Sequence, residues 1–283
     1  MGDFSEVNIL NKSDNNHGVS ITVDTNEISM VNSSLGIKAD LLFQDKLNDI
    51  IVSDIVNSTL NKLACYGSEI LSFSYNISAK NPNSEQIEMI SNEIKNELSK
   101  YGCNKVVKNI VETGYNIDKF DINSTAVGKI IKENADIVSG DIIIGLTTDK
   151  MHLGLYTHLL DKYREGLISI DDFKNCLKPS LNYYNEIISL YKKNKIKSCV
   201  YIDAKDIHEQ LKDFLPKELK CDINIRHIPH QPVIDKLCQA ENINYYEKYS
   251  SGICCCLITD KASNEIFFED CKKFNPFVLG TID

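Results

Sequence analysis

The chain has 283 residues, 42% of them hydrophobic and 25% charged, the balance of an ordinary globular protein long enough for two modest domains. Thirty-one Lys and Arg against 40 Asp and Glu give a formal net charge of -9. That charge repels nucleic acid and anionic membrane on average, while allowing a local basic pocket for a phosphorylated metabolite. No apolar run approaches the roughly 20 residues that span a bilayer. The opening MGDFSEVNIL has neither a basic stretch nor an apolar signal core, so a cytoplasmic protein with no nucleic-acid and no membrane partner is expected.

Residues 1–18, polar and Asn-rich (NKSDNNHG), read as a loose lead-in. In VSITVDT, Val19, Ile21 and Val23 alternate with Ser20 and Thr22, which predicts a half-buried strand. Over 50–65, Ile55, Val56, Thr59, Leu60 and Leu63 recur at helical spacing, and Gly67 suits a left-handed stop. ILSFSYNIS alternates like a strand. A second helix is predicted over 84–98, with Ile87, Ile90, Ile94 and Leu98 on one stripe and Asn83 with Gln86 as its cap. NKVVKNIV and STAVGKII predict further strands. The Ser-Gly-Asp turn at 139–141 opens a second half, whose strand IIIGL is apolar on both faces and belongs at the centre of a covered sheet. Helices over 149–163 and 179–193 come next, then a strand at CVYIDA, a helix at DIHEQLKDF, a strand in SGICCCLIT and a late or edge strand at NEIFFED.

The ten cysteines include no C-x-x-C pair of the kind that ligates zinc or exchanges thiols. Most read as small buried apolar residues, and the run Cys254 to Cys256 as part of a strand whose neighbours point to opposite faces. Redox or metal chemistry is the alternative. His227 and His230 in RHIPHQP could suggest a metal, but Pro229 between them breaks helical geometry and favours a loop.

Taken in order, several segments resemble the aminoimidazole ribonucleotide synthetase family, also called phosphoribosylformylglycinamidine cyclo-ligase, whose fold is PurM-like. VDT at 23–25 falls where that family has Thr-Asp-Gly. SDIVNSTLNKLACYGSEIL is similar to its Asp-Leu-Val helix with an Asn-Asp pair, and YGCNKVV to its Gly-Cys-Ala-Leu-Val strand. GDIIIGLTTDKMH is similar to its Gly-Asp-Val-Leu-Ile-Gly-Leu element ending in His, and LKPSLNYY to its Leu-x-Pro-Thr-Arg-Ile-Tyr segment. The resemblance implies an α+β, two-domain fold. Residues 1–138 would form an N-terminal mixed sheet that pairs with a second copy into a dimer barrel, and residues 139–283 a C-terminal α/β sheet flanked by helices. It also implies a homodimer that uses ATP and Mg²⁺ on a small phosphorylated metabolite, closing an imidazole ring in purine biosynthesis.

Carried over position by position, the resemblance makes His152 and Asn61 catalytic candidates that orient substrate. It makes Asp24, Asp54 and Lys62 cofactor-binding candidates, and Asp24 with Glu112 the candidate metal ligands. Each also has a plainer reading. His152 and Thr147, Thr148 and Asp149 can serve a helix start, Asp24 a turn, and Asp54 with Asn61, two turns apart, a solvated helix face. Several family positions are replaced. Lys62 stands where the family has an acid and cannot ligate a cation, though its ammonium can meet a phosphate. Val107, Lys108, Asn109 and Ile110 stand for Gly-Gly-Glu-Thr; Asp203, Ala204, Lys205 and Asp206 stand for Thr-Gly-Gly-Gly. Simultaneous loss of glycines and carboxylates removes backbone access to phosphates together with metal ligands. The expectation is therefore a cyclo-ligase with impaired catalysis or, alternatively, a non-catalytic binding or assembly partner.

Overall fold

A computed structural model describes residues 9–15, 18–23, 26–114, 119–132, 135–151, 155–202, 206–242, 251–261 and 269–283. In the first half β1 (Ile9–Asn15), β2 (Gly18–Val23) and β3 (Asn26–Ser34) precede α1 (Ile37–Gln44) and α2 (Asn48–Cys65). After them come β4 (Ser68–Ala79), α3 (Glu85–Ser99), β5 (Val106–Glu112) and β6 (Asp121–Ile130). These strands make one six-stranded sheet in the order β1-β2-β3-β6-β4-β5, antiparallel except for the parallel β4/β5 pair. The second half contains β7 (Ile142–Met151), α4 (Tyr156–Arg164), α5 (Ile170–Asn175), α6 (Tyr184–Lys192), β8 (Ser198–Tyr201) and α7 (Ile207–Phe214). It ends with β9 (Cys221–Ile223), α8 (Pro232–Glu241), β10 (Ser251–Thr259) and β11 (Phe277–Ile282). Its sheet runs β8-β10-β7-β11-β9, all antiparallel, with the apolar β7 at the centre as its composition demands. No described helix is long and apolar enough to cross a membrane.

The two sheets meet across α2. This helix packs on β3, β4 and β6 on one side and on β8 and α6 on the other. It is buried on almost every side from Ile51 to Cys65, which is why its apolar residues do not form a narrow stripe. Close approach to β6 requires Gly128, where a Cβ would lie 2.9 Å from both Leu63 Cδ1 and the Glu69 carbonyl oxygen. One apolar core accordingly runs from Val31, Phe73 and Ile90 through Leu60 and Leu63 to Tyr191, Cys199 and Leu257. A smaller core on the far face of the second sheet joins Ile143, Ile207, Leu211, Cys256 and Ile258. The helix stops at Gly67, with φ of 60°.

Several elements differ from the sequence expectation, each for a physical reason. The predicted lead-in contains β1, which pairs antiparallel with β2. The cap of α3 is Ser84, whose side chain accepts from the Ile87 amide; Gln86 instead donates to the Phe43 carbonyl and to Asn48 Oδ1. Thr147, Thr148 and Asp149 continue β7 rather than cap a helix, because β10 pairs alongside as far as Met151; the helix begins at Tyr156. The helix predicted from 179 begins at Tyr184, since the residues before it are bonded to α2. NEIFFED lies mostly outside the described residues. In β10 the register shifts between Ile253 and Cys255, so Cys254 and Cys255 both enter the main core while Cys256 enters the smaller one.

Candidate functional site

Three polar residues in the middle of α2 face the second half of the chain, not water. Asp54, Asn57 and Asn61, spaced so that they share one side of the helix, grip the segment between Lys178 and Tyr184. Asp54 Oδ1 accepts from both the amide and the hydroxyl of Ser180 at 2.7 Å. Its Oδ2 pairs at 2.7 Å with Lys38 Nζ, both side chains being fully buried. Lys38 comes from α1, donates to the Lys178 carbonyl at 2.7 Å and lies 4.6 Å from the centre of the Tyr156 ring. Asn57 donates to the Ser180 carbonyl at 2.8 Å and accepts from Asn182. Asn61 donates to the Leu181 carbonyl at 2.9 Å and accepts from the Tyr183 amide at 2.8 Å. Tyr183 in turn donates to the Thr147 carbonyl at 2.6 Å, which ties the seam to β7. The Tyr184 hydroxyl accepts from the Ile70 amide at 2.8 Å, and burial pushes that phenol up to about 12.

Lys62 occupies a different position. Its ammonium donates to the Asn32 carbonyl at 3.1 Å and lies 5.5 Å from the Tyr201 ring centre, where the end of β3 faces the end of β8. Met151 pairs with Ser251, and Tyr201 with Cys255. The last residues of β7 and β8 and the first of β10 therefore lie at one end of the second sheet. Lys62, beside the Tyr201 ring, lies near that end.

Of the residues singled out from sequence, Asp24 and His152 lie outside the described residues. Asp54 and Asn61 are brought together on α2, with both polar atoms of each engaged by the protein. Lys62 is adjacent, at the sheet end. Glu112 is exposed at the end of β5, opposite Ala79 of β4. Three strand spacings, roughly 14 Å, separate it from β3. The connection from sheet to the Asp54 helix is made by β3, through Asn32 to Gly36, not by the end of β2 at Val23, which pairs with Asn26 of β3. Lys38, Asn57 and Ser180 escaped the sequence reading, although Asn57 sits at helical spacing from both Asp54 and Asn61. His227 and His230 are exposed, with His230 Nδ1 2.9 Å from Asp235. As a site for Mg²⁺ the described residues fit poorly, because Asp54 is committed to Lys38 and Ser180 and Glu112 stands apart. Among the described residues, three or more His, Cys, Asp or Glu ligand atoms cluster only at Cys65, Cys199 and Cys255.

No family model matches the chain. It is 25% identical over 273 residues to the phosphoribosylformylglycinamidine cyclo-ligase of Caldicellulosiruptor saccharolyticus, covering 88% of this chain and 80% of the relative. Among solved structures it resembles a HypE–HypF complex, with a TM-score of 0.66 and 16% identity over 93% of this chain and 86% of that one. It also resembles AaThiL complexed with AMPPCP and TMP, with a TM-score of 0.67 and 12% identity over 94% of this chain and 84% of the other. At those identities the structural likeness is one of fold. The order of segments, the sequence similarity and the shared fold agree: over most of its length the chain resembles the phosphoribosylformylglycinamidine cyclo-ligases, at low identity, and it has the fold seen in HypE and AaThiL.

Proposed function

We propose that this protein descends from the ATP-dependent cyclo-ligases of purine biosynthesis, still binds a phosphorylated small molecule, and is impaired in ring closure. The observation that carries this reading is the state of α2. Asp54 and Asn61, candidates for contacting nucleotide and substrate, spend their side-chain atoms on Lys38, Ser180, Leu181 and Tyr183. They hold the two halves together and offer a ligand no open coordination. Lys62 carries the phosphate contact in this reading. It brings an ammonium with three donor hydrogens to the sheet end where β7 and β8 finish and β10 begins. The nucleotide ligands of relatives support ATP as the first probe: AaThiL was solved with AMPPCP and TMP, and another HypE with ATP. No step is assigned to Mg²⁺.

Thermal unfolding of the purified protein with ATP, with and without Mg²⁺, tests the binding half. Ligand at 100 times Kd stabilises by about 2.7 kcal/mol, and Lys62→Met should abolish the shift. No shift at millimolar ATP would overturn the reading. Ring closure of formylglycinamidine ribonucleotide tests the other half, and turnover at the rate of an intact cyclo-ligase would refute impairment.

A second reading, a cytoplasmic homodimer that acts as a binding or assembly partner, draws on the first sheet. The face away from α2 and α3 leaves Met30, Val107 and Val111 exposed, apolar residues on a surface that a second copy would cover in a dimer barrel. Sedimentation as a monomer at micromolar concentration would exclude it.

A further inference from the structure

We propose that Cys65, Cys199 and Cys255 form a binding site for a soft monovalent metal ion, Cu(I), held between the two halves of the chain. The three thiols come from three separate elements, the last turn of α2, β8 and β10. Their sulfurs all lie within 4.8 Å of one another, with Cys65 Sγ and Cys199 Sγ 3.1 Å apart. An ion bonded to three thiolates at about 2.3 Å in a plane sets its sulfurs roughly 4.0 Å apart. The trio needs only side-chain adjustment to reach that spacing.

The donor set selects the ion. Three thiols with no carboxylate or imidazole among them favour soft ions over hard ones. Structural zinc takes four ligands, and the described residues supply three. The surroundings suit the reduced state of copper, because all three side chains are buried in the main apolar core beside Tyr191 and Leu257. The Tyr191 hydroxyl donates to the Cys65 carbonyl at 3.0 Å, fixing the end of α2 beneath the site. Packing alone does not require the cluster. Cys103 and Cys176, also buried, each direct their sulfur to a backbone carbonyl, of Lys105 and Asp172, whereas the sulfurs of the trio face one another. On binding, each thiol that becomes a ligand releases its proton to solvent, with no change in oxidation state.

The full-length reduced protein would be titrated without oxygen with Cu(I) as its acetonitrile complex, against a competing Cu(I) chelator. Sulfur coordination would be read by X-ray absorption at the copper edge. The proposal expects one Cu(I) per chain in an all-sulfur, three-coordinate environment, and an increase in melting temperature on loading. Cys199→Ala and Cys255→Ala should each lose stoichiometric uptake, while Cys103→Ala and Cys176→Ala keep it. The absorption spectrum of the unaltered protein needs no variant, so it decides the matter even where an alanine in the core prevents folding. Uptake no stronger than the chelator allows, uptake unchanged in the Cys199 and Cys255 variants, or Zn(II) bound by four sulfurs in preference to Cu(I) would each overturn it.

Discussion

The middle and the end of α2 attach the two halves of the chain by different chemistry. At Asp54, Asn57 and Asn61 the contact is directional: each donor has an acceptor, and a charge pair is sealed inside. One turn beyond Asn61, at Cys65, the contact is made by polarisable thiols with weak directional demands. Buried amides and carboxylates persist only with partners in place, so the middle of the helix specifies one arrangement of the halves. Thiols tolerate burial as small apolar groups. The end of the helix can therefore be altered at lower cost, or used for something else.

Substitutions on the two sides break that comparison in order of size. Asp54→Ala leaves the Lys38 ammonium buried without its counter-charge and should cost about 3–5 kcal/mol, measured as a lower urea midpoint. A loss under about 1 kcal/mol would mean that water reaches the pair. Asn61→Ala strands the Leu181 carbonyl and the Tyr183 amide, and about 1–3 kcal/mol should go with each partner left unpaired. An intact midpoint would show the 178–184 segment to be held by packing alone. Cys65→Ala in the metal-free, reduced protein removes one small sulfur and should cost only about 1 kcal/mol; a loss matching Asp54→Ala would erase the distinction between the two ends of the helix.

Alkaline pH sharpens the thiol side. Burial pushes the Cys176 thiol up to about 11 and that of Cys271 to about 12, from an ordinary 9.0. Both are acids whose folded pKa is raised, so the unfolded chain loses their protons first. Their stabilising contribution is whole below pH 9 and falls as pH rises from there toward 11 and 12. Each thiol adds a slope of at most about 1.4 kcal/mol per pH unit. Urea melts across pH 8 to 11 on the reduced protein should show a falling midpoint, and a flat profile would contradict the burial.

The strongly periodic elements were legible before any coordinates. The stripe of Ile87, Ile90, Ile94 and Leu98, the apolar run Ile142 to Leu146, and the Gly67 stop all stand where the pattern put them. What escaped were elements whose burial runs against polarity. In β3, Ser29 and Ser33 face the core while Met30 is half exposed, the reverse of the alternation that marks a strand. The Ser29 hydroxyl is satisfied by Ser68 at 2.8 Å, a partner 39 residues away that no local window contains. The site was legible in the same uneven way. Asp54 and Asn61 could be located on one side of a helix, but that side could as well have faced solvent. Only the fold reveals Ser180 and Tyr183 opposite them. Nor can spacing along the chain bring together cysteines 65, 199 and 255, which meet only after both sheets have formed.

The continuity of the main core through α2 has a consequence for the chain as a physical object. Cutting it near residue 138 would expose the buried face of α2, with Asp54, Asn57 and Asn61 opened to water on one fragment and the 178–184 segment unheld on the other. Each fragment alone should precipitate. Expressed together in one cell they should reassociate as a complementing pair, with the seam serving as an interface between separate polypeptides.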